Sequence, residues 1–108
     1  MLKKLPRGVK LTRPVVDELV ELGPLPSSVK PNMVRLQKFQ VLLERVEQPV
    51  SNNDARALVN LFGPDDCFGL AWTLLHLIET APGWPLEDVL DRSGSEWIDR
   101  LKQRAKTR

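Results

Sequence analysis

His76, Glu79 and Trp72 are the residues of this 108-residue chain whose types and spacing could do chemistry. His76 is the only histidine, and imidazole is the side chain that titrates near neutrality without help. Glu79 follows three residues later, so on a helix the two side chains meet on one face. A carboxylate so placed can orient an imidazole as a general base. What the pair lacks is a nucleophile. Cys67 precedes His76 by nine residues, which at about 100° per residue puts the thiol on the opposite side of a shared helix. That geometry excludes a Cys–His dyad within one helix. Thr73 and Thr80 stand nearby, but helical threonines bond to their own backbone. The simplest reading of His76 is a structural imidazole bonded to Glu79 or to a neighbouring loop, because a triad needs a nucleophile within reach.

Metal and nucleotide chemistry have even less to work with. One His and one Cys cannot build a structural zinc site. Asp54, Glu87, Asp88 and Asp91 read as first-turn or solvated charges, so neither a metal nor a cofactor is expected. Gly63, Gly69, Gly83 and Gly94 are isolated, and none belongs to a phosphate-cradling motif.

Contact chemistry is left. Trp72 shares a helix face with His76 and Glu79, and Asp65 and Asp66 lie at its edge. An aromatic with an acidic rim has the composition of a partner-binding hot spot. Burial of that ring under the first helix or the N-terminal arm is the competing reading. The other two tryptophans have plainer settings: Trp97 is expected in the core, and Trp84, between Gly83 and Pro85, closes one end of the molecule.

The elements that must position these residues are helical. Residues 1–11 read as a basic arm, and 12–108 as a single all-α domain. Thr12 can cap a short first helix carrying Pro14, Asp17 and Glu18 in its first turns, with Gly23 past its end. GPLPSSVKP is a loop, since its prolines forbid a regular element. A second helix is expected from about Asn32 to Glu47, on the recurrence of Leu36, Phe39, Leu42, Leu43 and Val46. A third starts at Ser51 or Asn52 and ends at Gly63-Pro64, with Ala55, Leu58, Val59 and Phe62 as its buried stripe. The fourth is expected to run as one helix of about four turns between Asp65 and Pro82-Gly83. Asp65 and Asp66 supply carboxylates at its start, and Gly69 then falls inside it. Pro85–Leu90 can form a short helix. Ser93 and Glu96 have the spacing of a capping box that opens the last helix. No segment alternates apolar and polar residues as a strand would. A compact bundle of five to six helices is the expected architecture, with stacked HEAT-like hairpins as the second option, although no internal repeat is present.

Charge is segregated along this frame. Residues 1–13 carry five bases and no acids, 14–91 five bases against twelve acids, and 92–108 six bases against two acids. An acidic body repels phosphates. The basic last helix, with Arg100, Lys102, Arg104, Lys106 and Arg108, offers the one alternative surface for nucleic acid. Its cations also complement the helix dipole. Its single aromatic, Trp97, is expected to be buried, which leaves no stacking platform for a single strand. No apolar run reaches the length of a membrane span, the basic N-terminus lacks the apolar stretch of a signal peptide, and one cysteine suits a reducing compartment. Cytoplasmic location without membrane association is the expectation.

The segment LVNLFGPDDCFGLAWTLLHLIETAPGWP, about a quarter of the chain, resembles small bacterial immunity-type proteins of polymorphic toxin systems. It carries no catalytic motif. The resemblance implies a non-catalytic protein-interaction module, an antitoxin that binds and neutralises a cognate toxin domain. The acidic body is compatible with occluding a basic cleft, and the basic ends depart from it. The alternative is a small nucleic-acid-associated protein that uses its basic termini.

Overall fold

Six α-helices make up the computed structural model, which describes residues 12–91 and 95–106. They are α1 (Pro14–Leu22), α2 (Met33–Arg45), α3 (Asn52–Leu58), α4 (Leu70–Glu79), α5 (Glu87–Leu90) and α6 (Glu96–Lys106), and a 3₁₀ turn over Val59–Leu61 prolongs α3. No strand occurs among the described residues. The molecule is a small helical bundle: α1 and α2 pair, α3 and α4 pair, α1 lies on α3, and α6 lies on α4. No helix is long and apolar enough to cross a membrane among the described residues. The basic arm, the cap at Ser93 and the last base, Arg108, lie outside them.

The periodic leucines, valines and aromatics do what their spacing requires. Val16 and Leu19 of α1, Leu36, Phe39 and Leu43 of α2, Ala55 and Leu58 of α3, and Leu74, Leu75 and Ile78 of α4 form one continuous core. Burial of such faces, rather than helix propensity, holds helices this short in place. Trp84 is buried, as are Leu86 and Val89.

Capping fixes where the helices begin. Asn32 Oδ1 accepts from Arg35 N–H and opens α2. Ser51 and Asp54 form a reciprocal capping box on α3, with bonds of 3.0 and 3.1 Å. Asp54 is fully buried and does more than cap: its carboxylate also accepts Arg13 N–H at 3.1 Å and pairs with the Arg13 guanidinium at 3.0 Å. That guanidinium in turn donates to the carbonyls of Glu47 and Pro49. One buried carboxylate thus ties the entrance of α1 to the connection between α2 and α3. Thr12 is not the cap of α1. Arg13 occupies that position with extended backbone, and the Thr12 hydroxyl donates instead to Asp17.

The loop between α1 and α2 is bound at both ends. Arg35 donates to the carbonyls of Leu22 and Pro24, and Leu25 N–H donates to Leu61 O at 2.8 Å. That strand-like contact is why Gly63 is a glycine: a Cβ there would lie 2.1 Å from the Leu25 carbonyl oxygen.

The fourth helix differs from the expectation at its start. It begins at Leu70, and Asp65–Gly69 form a turn. Two causes are visible. The Asp65 carboxylate is taken by the distant loop, accepting from Ser28 N–H, Ser28 Oγ and Ser27 Oγ as well as from Cys67 N–H. Cys67, Phe68 and Gly69 then stand at φ of 47°, 57° and 89°, the left-handed region that a right-handed helix excludes. Gly69 is therefore the N-cap of α4, not an interior residue. This reverses the sign of a substitution. In a helix interior alanine would stabilise by up to about 1 kcal/mol over glycine. With φ at 89° and open space around the new Cβ, Gly69→Ala is expected to destabilise by about 1 kcal/mol through backbone strain alone. Urea denaturation of the two proteins decides it, and a more stable alanine variant would mean that residue 69 is helical in solution.

Candidate functional site

Helix α4 is apolar inwards and mixed outwards. Ala71, Leu74, Leu75, Leu77 and Ile78 are buried, and Trp72, Thr73 and His76 face out. Helix α6 follows the same rule, burying Trp97, Ile98 and Leu101 and exposing Arg100, Gln103 and Arg104. Because α6 packs on α4, the outward edges of the two helices adjoin. Of the two surfaces that the sequence offered as alternatives, Trp72/His76/Glu79 and the cations of the last helix, the first is met by Arg100 and Arg104 of the second, and these residues form one surface.

Its centre is aromatic. The Trp72 ring meets Trp97 edge to face at a centroid distance of 5.0 Å, and Trp97 stacks on Phe62 at 5.7 Å. Trp97 is 3% exposed, whereas Trp72 is 36% exposed. Trp72 is therefore a ring seated on the core with part of its surface in solvent. The Arg100 guanidinium lies over both indoles, 5.2 Å from Trp72 and 5.0 Å from Trp97. A cation over two ring faces restrains both rings and keeps water from their shared edge, an interaction of roughly 0.5–2 kcal/mol per ring. Trp72, Arg100, Gln103 and Arg104 line a shallow groove at this point.

Carboxylates hold the cations. Glu96 accepts from Arg100 Nη2 at 2.6 Å. Glu79 takes Arg104 with both oxygens, at 2.5 and 3.0 Å, and this hydrogen bonding raises the guanidinium's already high pKa. His76 Nδ1 lies 3.4 Å from Glu79 Oε1, and its ring centroid is 6.4 Å from that of Trp72. The expected His76–Glu79 pair is thus formed, but Glu79 gives its stronger contacts to Arg104. Through Arg104 it staples α4 to α6. Lys102 is half-buried and Lys106 exposed at the far end of α6.

The two acids proposed for the edge of the surface separate. Asp65 is spent on the internal loop contacts described above. Only Asp66 keeps an exposed side chain, while its carbonyl accepts from Gly69 and Ala71 N–H. Cys67 is buried, and burial pushes its thiol up, with Asp65 and Asp66 adding to the shift. A thiol so held is a poor nucleophile. It sits in the turn before α4, not on the opposite side of a shared helix as its spacing suggested.

The loop contacts make Asp65 pH-sensitive. The Ser28 backbone N–H, then the Ser28 hydroxyl and Cys67 N–H, hold its carboxyl below the ordinary value of 3.8. A carboxyl whose pKa is lower folded than unfolded contributes stability that is complete above the unfolded value and is lost as pH falls through the folded one. The Tm advantage of the wild type over Asp65→Asn is therefore expected to be full at neutral pH and to shrink below about pH 3.8. A difference that stays constant down to pH 2 would remove the charge from the explanation.

Two contributors escaped the sequence reading. Arg100 was counted as one of several surface cations, and Phe62 as part of a buried stripe. Arg100 lies three residues after Trp97 on α6, so spacing could have shown that contact, but its contact with Trp72 joins α6 to α4, and Phe62 stacks on Trp97 from the end of the 3₁₀ turn, which no spacing shows. Phe68, 63% exposed beside Asp66 in the turn before α4, was not singled out either, since its left-handed backbone is invisible to a periodicity argument. Comparison with family models, with curated proteins and with solved structures finds no match for this chain.

Proposed function

We propose that this chain is a non-catalytic protein-binding module whose contact surface centres on Trp72, and that its partner is a bacterial toxin domain which it neutralises. The observation that supports the binding reading most is the half-exposed Trp72 ring, fixed from below by Trp97 and from the side by Arg100. Tryptophan and arginine are the residues over-represented in binding hot spots, and a pre-positioned ring loses little entropy when a partner covers it. The toxin partner is drawn from the resemblance of the segment around α4 to immunity-type proteins.

Nucleic acid is the second reading, because Trp72 now stands among Arg100, Arg104 and His76, and a ring flanked by cations can stack a base. The first reading is preferred on charge: Arg100 and Arg104 are each engaged by a carboxylate, which a phosphate would have to displace.

The test is retention of a stoichiometric protein from nuclease-treated lysate at high salt, followed by co-expression of that protein with the wild type. Trp72→Ala is expected to weaken retention by tenfold or more, as for a hot-spot residue, and to abolish rescue of growth from the partner's toxicity. Unchanged retention by both Trp72→Ala and Arg100→Ala would move the contact surface elsewhere. Retention only of nucleic acid, lost steeply with salt, would favour the second reading.

A further inference from the structure

A groove with a volume of about 690 Å³ lies away from Trp72, between α1 and α2. Its floor is apolar, with Leu22, Val34, Val41 and Leu42. Val34 is 68% and Val41 42% exposed, and they stand seven residues apart, two helical turns, on one outward stripe of α2. This stripe is separate from the one formed by Leu36, Phe39 and Leu43, which α2 buries in the core. A helix with a second apolar stripe at heptad spacing has the pattern of one that packs on a further helix.

The walls of the groove carry opposite charge. Glu18 and Glu21 rise from α1, and Lys38 rises from α2 between Val34 and Val41. None of the three is ion-paired among the described residues. Arg35, near the start of α2, bonds to Leu22 O at the end of α1, so the two helices run antiparallel. Glu18 and Lys38 therefore sit near the same height along the groove.

We propose that this groove is a self-association surface and that its occupant is a second copy of this chain. A two-fold axis running along the groove places α1 of each copy over α2 of the other and preserves height. Glu18 and Glu21 of one copy then face Lys38 of its partner, twice by symmetry, while the two apolar floors close on each other. An isologous contact requires such self-complementarity, and an apolar floor with one acidic and one basic wall supplies it. The face is small: α2 is about 20 Å long, and the patch falls below the roughly 800 Å² per partner of a standard interface. The dimer is accordingly weak.

Sedimentation equilibrium of the full chain tests this across the micromolar to millimolar range. A monomer–dimer equilibrium is expected. Val34→Glu, at an exposed position, should raise the Kd at least tenfold without changing the Tm. Lys38→Glu alone, or Glu18→Lys with Glu21→Lys, should also weaken the dimer by juxtaposing like charges, and the three changes combined should restore it. Trp72→Ala should leave it intact. A monomer up to about 1 mM, a dimer insensitive to Val34→Glu, a triple variant that does not recover, or a dimer lost with Trp72→Ala would each overturn the proposal.

Discussion

Replacing Trp97 by alanine is expected to lower the free energy of unfolding by about 4 kcal/mol, and replacing Trp72 by about 1–2 kcal/mol. The two rings touch, yet they stand in different environments. Trp97 is 3% exposed and is stacked on Phe62, met by Trp72 and covered by Arg100. Alanine there removes the full transfer free energy of an indole and leaves a cavity that three neighbours cannot fill at once. Trp72 is 36% exposed, so its removal forfeits one edge-to-face contact and one cation–π contact, with little cavity. Trp97→Phe is expected to cost less than half as much as the alanine change. The smaller ring keeps the stacking partner and removes an indole N–H that is buried with no acceptor among the described residues. Urea denaturation followed by circular dichroism measures all three. Equal losses for Trp72→Ala and Trp97→Ala would make the outer face of α4 part of the core and remove the basis for a contact surface there.

Asp54→Ala is expected to cost about 3 kcal/mol and to lower the Tm by about 12 °C or more. The residue is fully buried, caps α3 through Ser51 N–H, and accepts the backbone and guanidinium donors of Arg13. Loss of a capping carboxylate costs about 1 kcal/mol, and donors left without an acceptor add about 1–3 kcal/mol. The total stays below that of a fully buried ion pair, because the Arg13 side chain is 34% exposed and can turn to water. Asp54→Asn keeps an acceptor but loses the charge, and it should recover part of the loss. Arg13→Ala should cost less than Asp54→Ala, because the carboxylate retains the Ser51 cap. The reverse order in thermal melts would place the main role with the arginine and its bonds to the Glu47 and Pro49 carbonyls.

Most of the helices are legible in the sequence, and the reasons are local. The recurrence of Leu36, Phe39, Leu42 and Leu43 is satisfied by burying one side of α2, and Ser51, one of the two residues offered as the start of the third helix, caps α3. The errors were local readings overruled from a distance. Asp65 has the composition of a helix start, but Ser27 and Ser28, nearly forty residues earlier, claim its oxygens. The backbone that follows turns left-handed through Gly69 as a consequence, and α4 starts at Leu70. Thr12 has the composition of a cap, but Asp54 fixes Arg13 in that position instead.

The candidate site divides in the same way. Residue types and helical spacing suffice to put Trp72, His76 and Glu79 on one face, because a helix has a fixed angle per residue. The same rule puts Trp97 on the inner face of α6 and Arg100 and Arg104 beside it. Whether those two faces meet depends on how α6 crosses α4, which is set by the packing of side chains from all the helices together. That packing alone joins the acidic and basic candidates into one surface, gives Glu79 to Arg104 in preference to His76, removes Asp65 from the surface, and leaves Trp72 half in solvent. Angular periodicity is a property of a single segment and can be read from sequence; adjacency between segments is a property of the shared core, and only the tertiary structure decides it.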